Sequence, residues 1–138
     1  MRKKFVFLVT ALLLMGLTMT FGQTVNSGSE QLNSKDAVAN YLKGLNSDND
    51  GLRLSSAFFA GEYGIADAVI PLMKMLNNEK SESGRIMAAL ALTKIASGKS
   101  IFAVKQAAKL DKSERVRELC SKFYNYHVSL QNQPNNNL

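Results

Sequence analysis

Asp50-Gly51-Leu52-Arg53, Glu82-Ser83-Gly84-Arg85 and Glu114-Arg115-Val116-Arg117 are one stretch written three times at a constant spacing, with its arginine at 53, 85 and 117. Each copy opens a helical pattern. In the third, Val116, Leu119, Cys120, Phe123, Tyr124 and His127 recur at the spacing of one broad helical face. The matching residues of the second copy are Gly84, Met87, Ala88, Ala91, Leu92 and Ile95, and those of the first are Leu52, Ser55, Ser56, Phe59, Ala60 and Tyr63. All three sets are mainly apolar or small, so one helix recurs with its buried face in the same phase. A fixed period of this size predicts an all-α chain of stacked helical repeats, each burying its apolar face against its neighbours.

Working outward, the start of the chain reads as a targeting segment. Arg2, Lys3 and Lys4 precede an apolar run from Phe5 to Leu17, and Thr20 and Gly22 supply small residues before Gln23. That is the layout of a secretory signal peptide over residues 1–22, with an apolar run shorter than a membrane span requires. It predicts an exported protein, periplasmic or extracellular and bacterial in type, with no transmembrane segment after cleavage. Residues 23–33, with Asn26-Ser27-Gly28-Ser29, read as a flexible polar lead-in. Residues 34–127 form the helical repeat domain, and 128–138 a disordered polar tail.

Inside the domain, Ser34 is read as the cap of a helix from Lys35 to Leu45, and Asn46 to Asp50 as a turn. The first repeat pairs a helix over 50–63, closed by Gly64, with a second over 66–76 whose regular part begins close to Pro71. The second pairs 83–96 with 101–110, across a turn at Ser97-Gly98-Lys99-Ser100. Asp111 and Glu114 fit a capping box for a last helix over 112–127.

The whole chain carries a formal net charge of +6, part of which belongs to the basic start. Gln23 to Gly84 is net acidic and Arg85 onward is net basic, so the two ends of the domain should differ in sign. Asp50, Glu82 and Glu114 each stand three residues before Arg53, Arg85 and Arg117. An acid in a first helical turn suits the helix dipole and can pair with the arginine, so these six residues read as a structural ladder between neighbouring repeats. An anion site made from the three arginines is the alternative.

Lys105, Lys109 and Lys112 lie at i, i+4 and i+7 and are the candidate partner-binding residues, suited to an acidic surface. Cys120 is the sole cysteine, which excludes an internal disulfide, and it occupies the slot of Ser56 and Ala88, so burial is expected. His127, in the slot of Tyr63 and Ile95, reads as an edge-of-core residue. No phosphate loop, metal-ligand spacing or nucleophile–base motif is present, so neither an enzymatic activity nor a cofactor is expected. Export and the lack of interleaved aromatics argue against nucleic acid.

These residues resemble the HEAT repeats, and among them the short HEAT-like repeats named after phycobilisome lyases. The carriers are Leu52-Arg53, Ser56-Ala57, Gly61, Tyr63-Gly64 and Ile70-Pro71-Leu72 in the first copy. Arg85, Ala88-Ala89 and Ile95-Ala96 carry it in the second, and Val116-Arg117 in the third. Gly84 stands where the family has an apolar residue, and the third copy diverges after Cys120. The resemblance implies about two and a half repeats of antiparallel helix pairs in a right-handed α-solenoid, with the second helices lining its concave side. It also implies a scaffold rather than a chemistry. The expected function is therefore an exported protein-interaction module, with an accessory chaperone or lyase-type subunit of an envelope enzyme as the alternative. The sequence leaves the oligomeric state open.

Overall fold

A computed structural model of the protein describes residues 35–133. The expected signal peptide, lead-in, Ser34 cap and the end of the tail lie outside these residues. What is described is all-α. Six helices follow one another: α1 (Lys35–Gly44), α2 (Asp50–Glu62), α3 (Val69–Asn78), α4 (Glu82–Ile95), α5 (Gly98–Leu110) and α6 (Glu114–Gln131), with one 3-10 turn at Ala66–Ala68 before α3. Among the described residues no helix is long and apolar enough to cross a membrane.

The period of the sequence persists in the helix starts. Asn49, Ser81 and Ser113 are the N-caps of α2, α4 and α6, and their side chains accept from the amides of Leu52, Gly84 and Val116. Each cap satisfies an amide that the first helical turn leaves without an internal partner. Ser113 thus takes the place expected of Asp111, whose carboxylate is engaged elsewhere. Ser97 caps α5 in the same manner, accepting from the Ser100 amide at 3.1 Å. The stretch read as a turn at 97–100 is therefore the first turn of α5. Pro71 stands in the first turn of α3, where its missing N–H costs no hydrogen bond. At the other end α6 continues to Gln131, into the segment expected to be disordered.

Packing groups the helices differently from the expected first pair: α3 lies against α4 of the next copy and not chiefly against α2. α1 lies against α2, α3 against α4 and α5 against α6; α2 also packs on α4, α4 on α6, and α3 on α5. The core runs through these contacts as Ala57, Ala60, Leu72, Leu76, Ala88, Leu92, Val104, Val116 and Cys120. Small side chains let the helices approach closely. A Cβ added at Gly61 of α2 would sit 2.6 Å from the Cα of Ala91 in α4, so glycine is what the crossing admits. Cys120 is fully buried, as its slot predicts, and His127 is half-buried at the edge.

Candidate functional site: the arginine row and the two ends of the domain

Each recurring arginine reaches back to a backbone carbonyl in the turn before its own helix. Arg53 Nη1 donates to Ser47 O at 2.7 Å, Arg85 Nη1 to Glu79 O at 3.0 Å, and Arg117 Nη1 to Asp111 O at 2.7 Å. The three acceptors keep the spacing of the arginines themselves. The other edge of the fork reaches forward to the turn before the next capped helix. Arg53 Nε donates to Glu79 Oε2 at 2.9 Å, and Arg85 Nε and Nη2 donate to Asp111 Oδ2 and Oδ1 at 2.8 and 3.1 Å. Glu79 and Asp111 therefore serve two arginines each, one by side chain and one by carbonyl. They also accept from their own turns: Asp111 Oδ1 takes the Ser113 amide at 2.8 Å, and Glu79 Oε1 the Lys80 amide at 2.9 Å.

This corrects the expected pairing. The acid three residues before the arginine is used only in the first copy, where Asp50 meets Arg53 Nη2 at 2.7 Å with the aspartate side chain 80% exposed. Glu82 and Glu114 make no ion pair among the described residues, and they serve only as acids in a first helical turn. The paired acid lies in the turn that leads to the next repeat, where it is shielded from water. Burial would raise the carboxyl of Asp111, but the hydrogen bonds from Arg85 and the Ser113 amide, with the charges of Arg85 and Lys112, bring it below its ordinary value. Glu79 is lowered in the same way: burial opposes, while Arg53 and the Ser81 and Lys80 amides prevail. A common anion site of three arginines is not formed, because two of the forks already hold the chain's own carboxylates. Clefts of about 500 and 320 Å³ lie over the Arg53–Glu79 and Arg85–Asp111 pairs, bordered by Met75 and Lys80 in one and by Ala107 and Lys112 in the other.

The lysines are only partly brought together. Lys105, Lys109 and Lys112 are all exposed, but α5 ends at Leu110, so Lys112 sits in the turn and does not continue the helical stripe. Lys105 Nζ lies 5.3 Å from the ring centre of Tyr124, a cation–π contact that holds this side chain against α6.

A second surface was not legible from the period. In α4 and α6 the residues at the recurring face are covered: Gly84 and Ala91 are buried and Met87, Ile95, Phe123 and His127 are half-buried. In α2 the same positions are open. Leu52 is 52% exposed, Phe59 37% and Tyr63 39%. Ala91 of α4 is covered by α2, where Gly61 approaches it, and Gly84 by Glu79 and Ser81 of its own turn, whereas α2 itself has α1 beside it. Tyr41 of α1 joins them, its ring centre 5.9 Å from both Phe59 and Tyr63, while Phe59 and Tyr63 are stacked at 5.8 Å. Phe58 meets Phe59 edge-on at 5.3 Å and has Lys94 above it, which also pairs with Glu62. Aromatic rings at 59 and 63, where the next copy holds Ala91 and Ile95, were the available signal.

Compared with models of known protein families the chain matches none, and no curated protein matches it in sequence.

Proposed function

We propose that the protein is an exported interaction module, a short right-handed solenoid of HEAT-like antiparallel helix pairs that holds a protein partner through its helical-repeat surface. The observation that carries this reading is the open face of α2. A contact surface that α4 and α6 use internally is presented by Leu52, Phe59 and Tyr63, with Tyr41 beside it. Aromatic side chains at such a surface supply large contact area at low conformational cost, and they are enriched where proteins bind one another. The partner that fits presents an apolar helical face, since a helix is what covers the equivalent positions of α4. The exposed Lys105 and Lys109 offer a separate contact to acidic groups.

The test is site-specific photocrosslinking in the envelope fraction, with the photoreactive residue at Phe59 or, as a control, at Asn125. A partner captured from Phe59 alone, whose purified form loses affinity on Phe59→Ala, supports the reading. Equal capture from both positions, or unchanged affinity, overturns it. Discarding the export reading would need a different observation: full-length chain that stays with membranes after a carbonate wash.

A further inference from the structure

We propose that the free edge of the Arg117 guanidinium is a receptor for a carboxylate carried by an acidic segment of the partner protein. The repeat itself supplies the template. Arg53 and Arg85 hold their planar groups in place through Nη1, on a carbonyl of the preceding turn, and direct Nε to a carboxylate oxygen. Arg117 is held by the same bond, from Nη1 to Asp111 O at 2.7 Å. Its side chain is half-buried and so restrained, yet reachable. Among the described residues nothing takes its Nε or Nη2. The edge that grips Glu79 in one copy and Asp111 in the next is thus preset in the third.

A guanidinium fixed in this way matches a carboxylate through two parallel hydrogen bonds, and it loses little freedom on binding because the fork is already oriented. Its surroundings favour the same ligand. The chain from Arg85 onward is net basic, and Lys112 stands in the turn that anchors Arg117. The carboxylates that the first two arginines accept both sit in a turn just ahead of a capped helix, Glu79 before Ser81 and Asp111 before Ser113. The fitting ligand is accordingly an Asp or Glu in a turn, two positions before a helix cap. That a protein carries it rests on the function proposed above; the receptor itself does not, and a small probe tests it alone.

The experiment follows the arginine Nε–H signals of the whole protein by NMR during titration with an acetylated Leu-Asp-Lys-Ser amide, which copies Leu110 to Ser113. Its Leu-Asn-Lys-Ser counterpart and inorganic phosphate are the other two arms. The Arg117 Nε–H should shift saturably with the Asp peptide, with half-saturation about tenfold lower than for the exposed Arg115, the advantage expected of a two-pronged contact over a single one. Arg53 and Arg85, already paired, should not move. Arg117→Lys, which keeps the charge and removes the fork, should abolish the accompanying shift of the Lys112 amide. A response of Arg117 no stronger than that of Arg115, or one reproduced by the Asn peptide, overturns the proposal. An equal response to phosphate overturns the choice of carboxylate as ligand.

Discussion

Arg85 and Asp111 meet through two hydrogen bonds, and their side chains are only 2% and 7% exposed. The pair joins α4 to the turn that starts α6. Taking two charges out of water is costly, and their mutual attraction and extra hydrogen bonds must offset it. Removing one partner leaves the other charged and buried. Asp111→Ala should therefore destabilise by about 3–5 kcal/mol. Glu79→Ala, at the more exposed Arg53 pair, should cost less, roughly 1.5–3 kcal/mol. The double variant Arg85→Met, Asp111→Leu should be less damaging than Asp111→Ala alone, because it removes both charges. Urea denaturation of the three variants gives the ranking, and a harmless Asp111→Ala would refute the account.

The same pair makes stability depend on pH. In the folded chain Asp111 and Glu79 both lie below their ordinary values of 3.8 and 4.5. A carboxylate with a lowered folded-state value stabilises fully above its unfolded value, and that contribution is lost as pH falls through the folded one. Wild-type stability should hold on descending to about pH 5 and then decline. Asp111→Asn should start lower at neutral pH and decline less steeply below about pH 4, since one of the two titrating groups is gone. Unfolding midpoints measured down this range test the sign: parallel curves for wild type and variant would mean that Asp111 does not contribute.

What could be read from the sequence divides along physical lines. The helices and their phase were legible because they repeat, and the burial of Cys120 followed from its slot. The partner of Arg85 was missed because the local candidate, Glu82, satisfies a generic rule about helix starts, whereas the true one depends on which turns the packing brings together. A signal existed: Glu79 and Asp111 are one repeat period apart, as are successive caps in the series Asn49, Ser81 and Ser113. The open aromatic face was hidden for a different reason. Periodicity says which side of a helix is buried in the typical copy. It says nothing of a copy whose neighbours differ: among the described residues α2 has α1 beside it, and there Phe59 and Tyr63 stay partly exposed.

Cys120 should behave as a packing residue. It is fully buried, and burial first, then the charge of Asp111 against the opposing Arg85, pushes its thiol up to about 11. Thiolate is thus scarce at neutral pH as well as covered. Labelling of native protein by a bulky maleimide should be slow and should accelerate in step with unfolding by urea. Cys120→Ala should cost about 1 kcal/mol or less, since Ala88 fills the same slot one copy earlier, and Cys120→Leu should overpack by roughly 1–3 kcal/mol. Rapid labelling without denaturant would contradict the burial.

Ala96 ends α4 in the left-handed region, with φ 55° and ψ 24°, and its N–H donates to Leu92 O at 3.1 Å. One copy earlier the same position is Gly64, at φ 60°. Both residues occupy the left-handed region, although the hydrogen bonds there differ: Gly64 N–H donates to Gly61 O and Ile65 N–H to Ala60 O. A Cβ in this conformation crowds the neighbouring carbonyl and costs roughly 1–2 kcal/mol, whereas glycine escapes it. Part of that gain is returned, because glycine makes the unfolded chain more flexible. Ala96→Gly should therefore stabilise the protein by about 0.5–1 kcal/mol. Gly64→Ala, the reverse exchange at an equally open site, should destabilise by about 1 kcal/mol. A Cβ would meet nothing within 4 Å at Gly64, so the cost there is conformational and not a clash. Thermal unfolding of the two single variants and of the double exchange decides it. Opposite shifts of similar size, nearly cancelling in the double variant, are expected of two independent sites with the same strain. A lower melting temperature for Ala96→Gly would show that chain entropy outweighs the strain at this helix end.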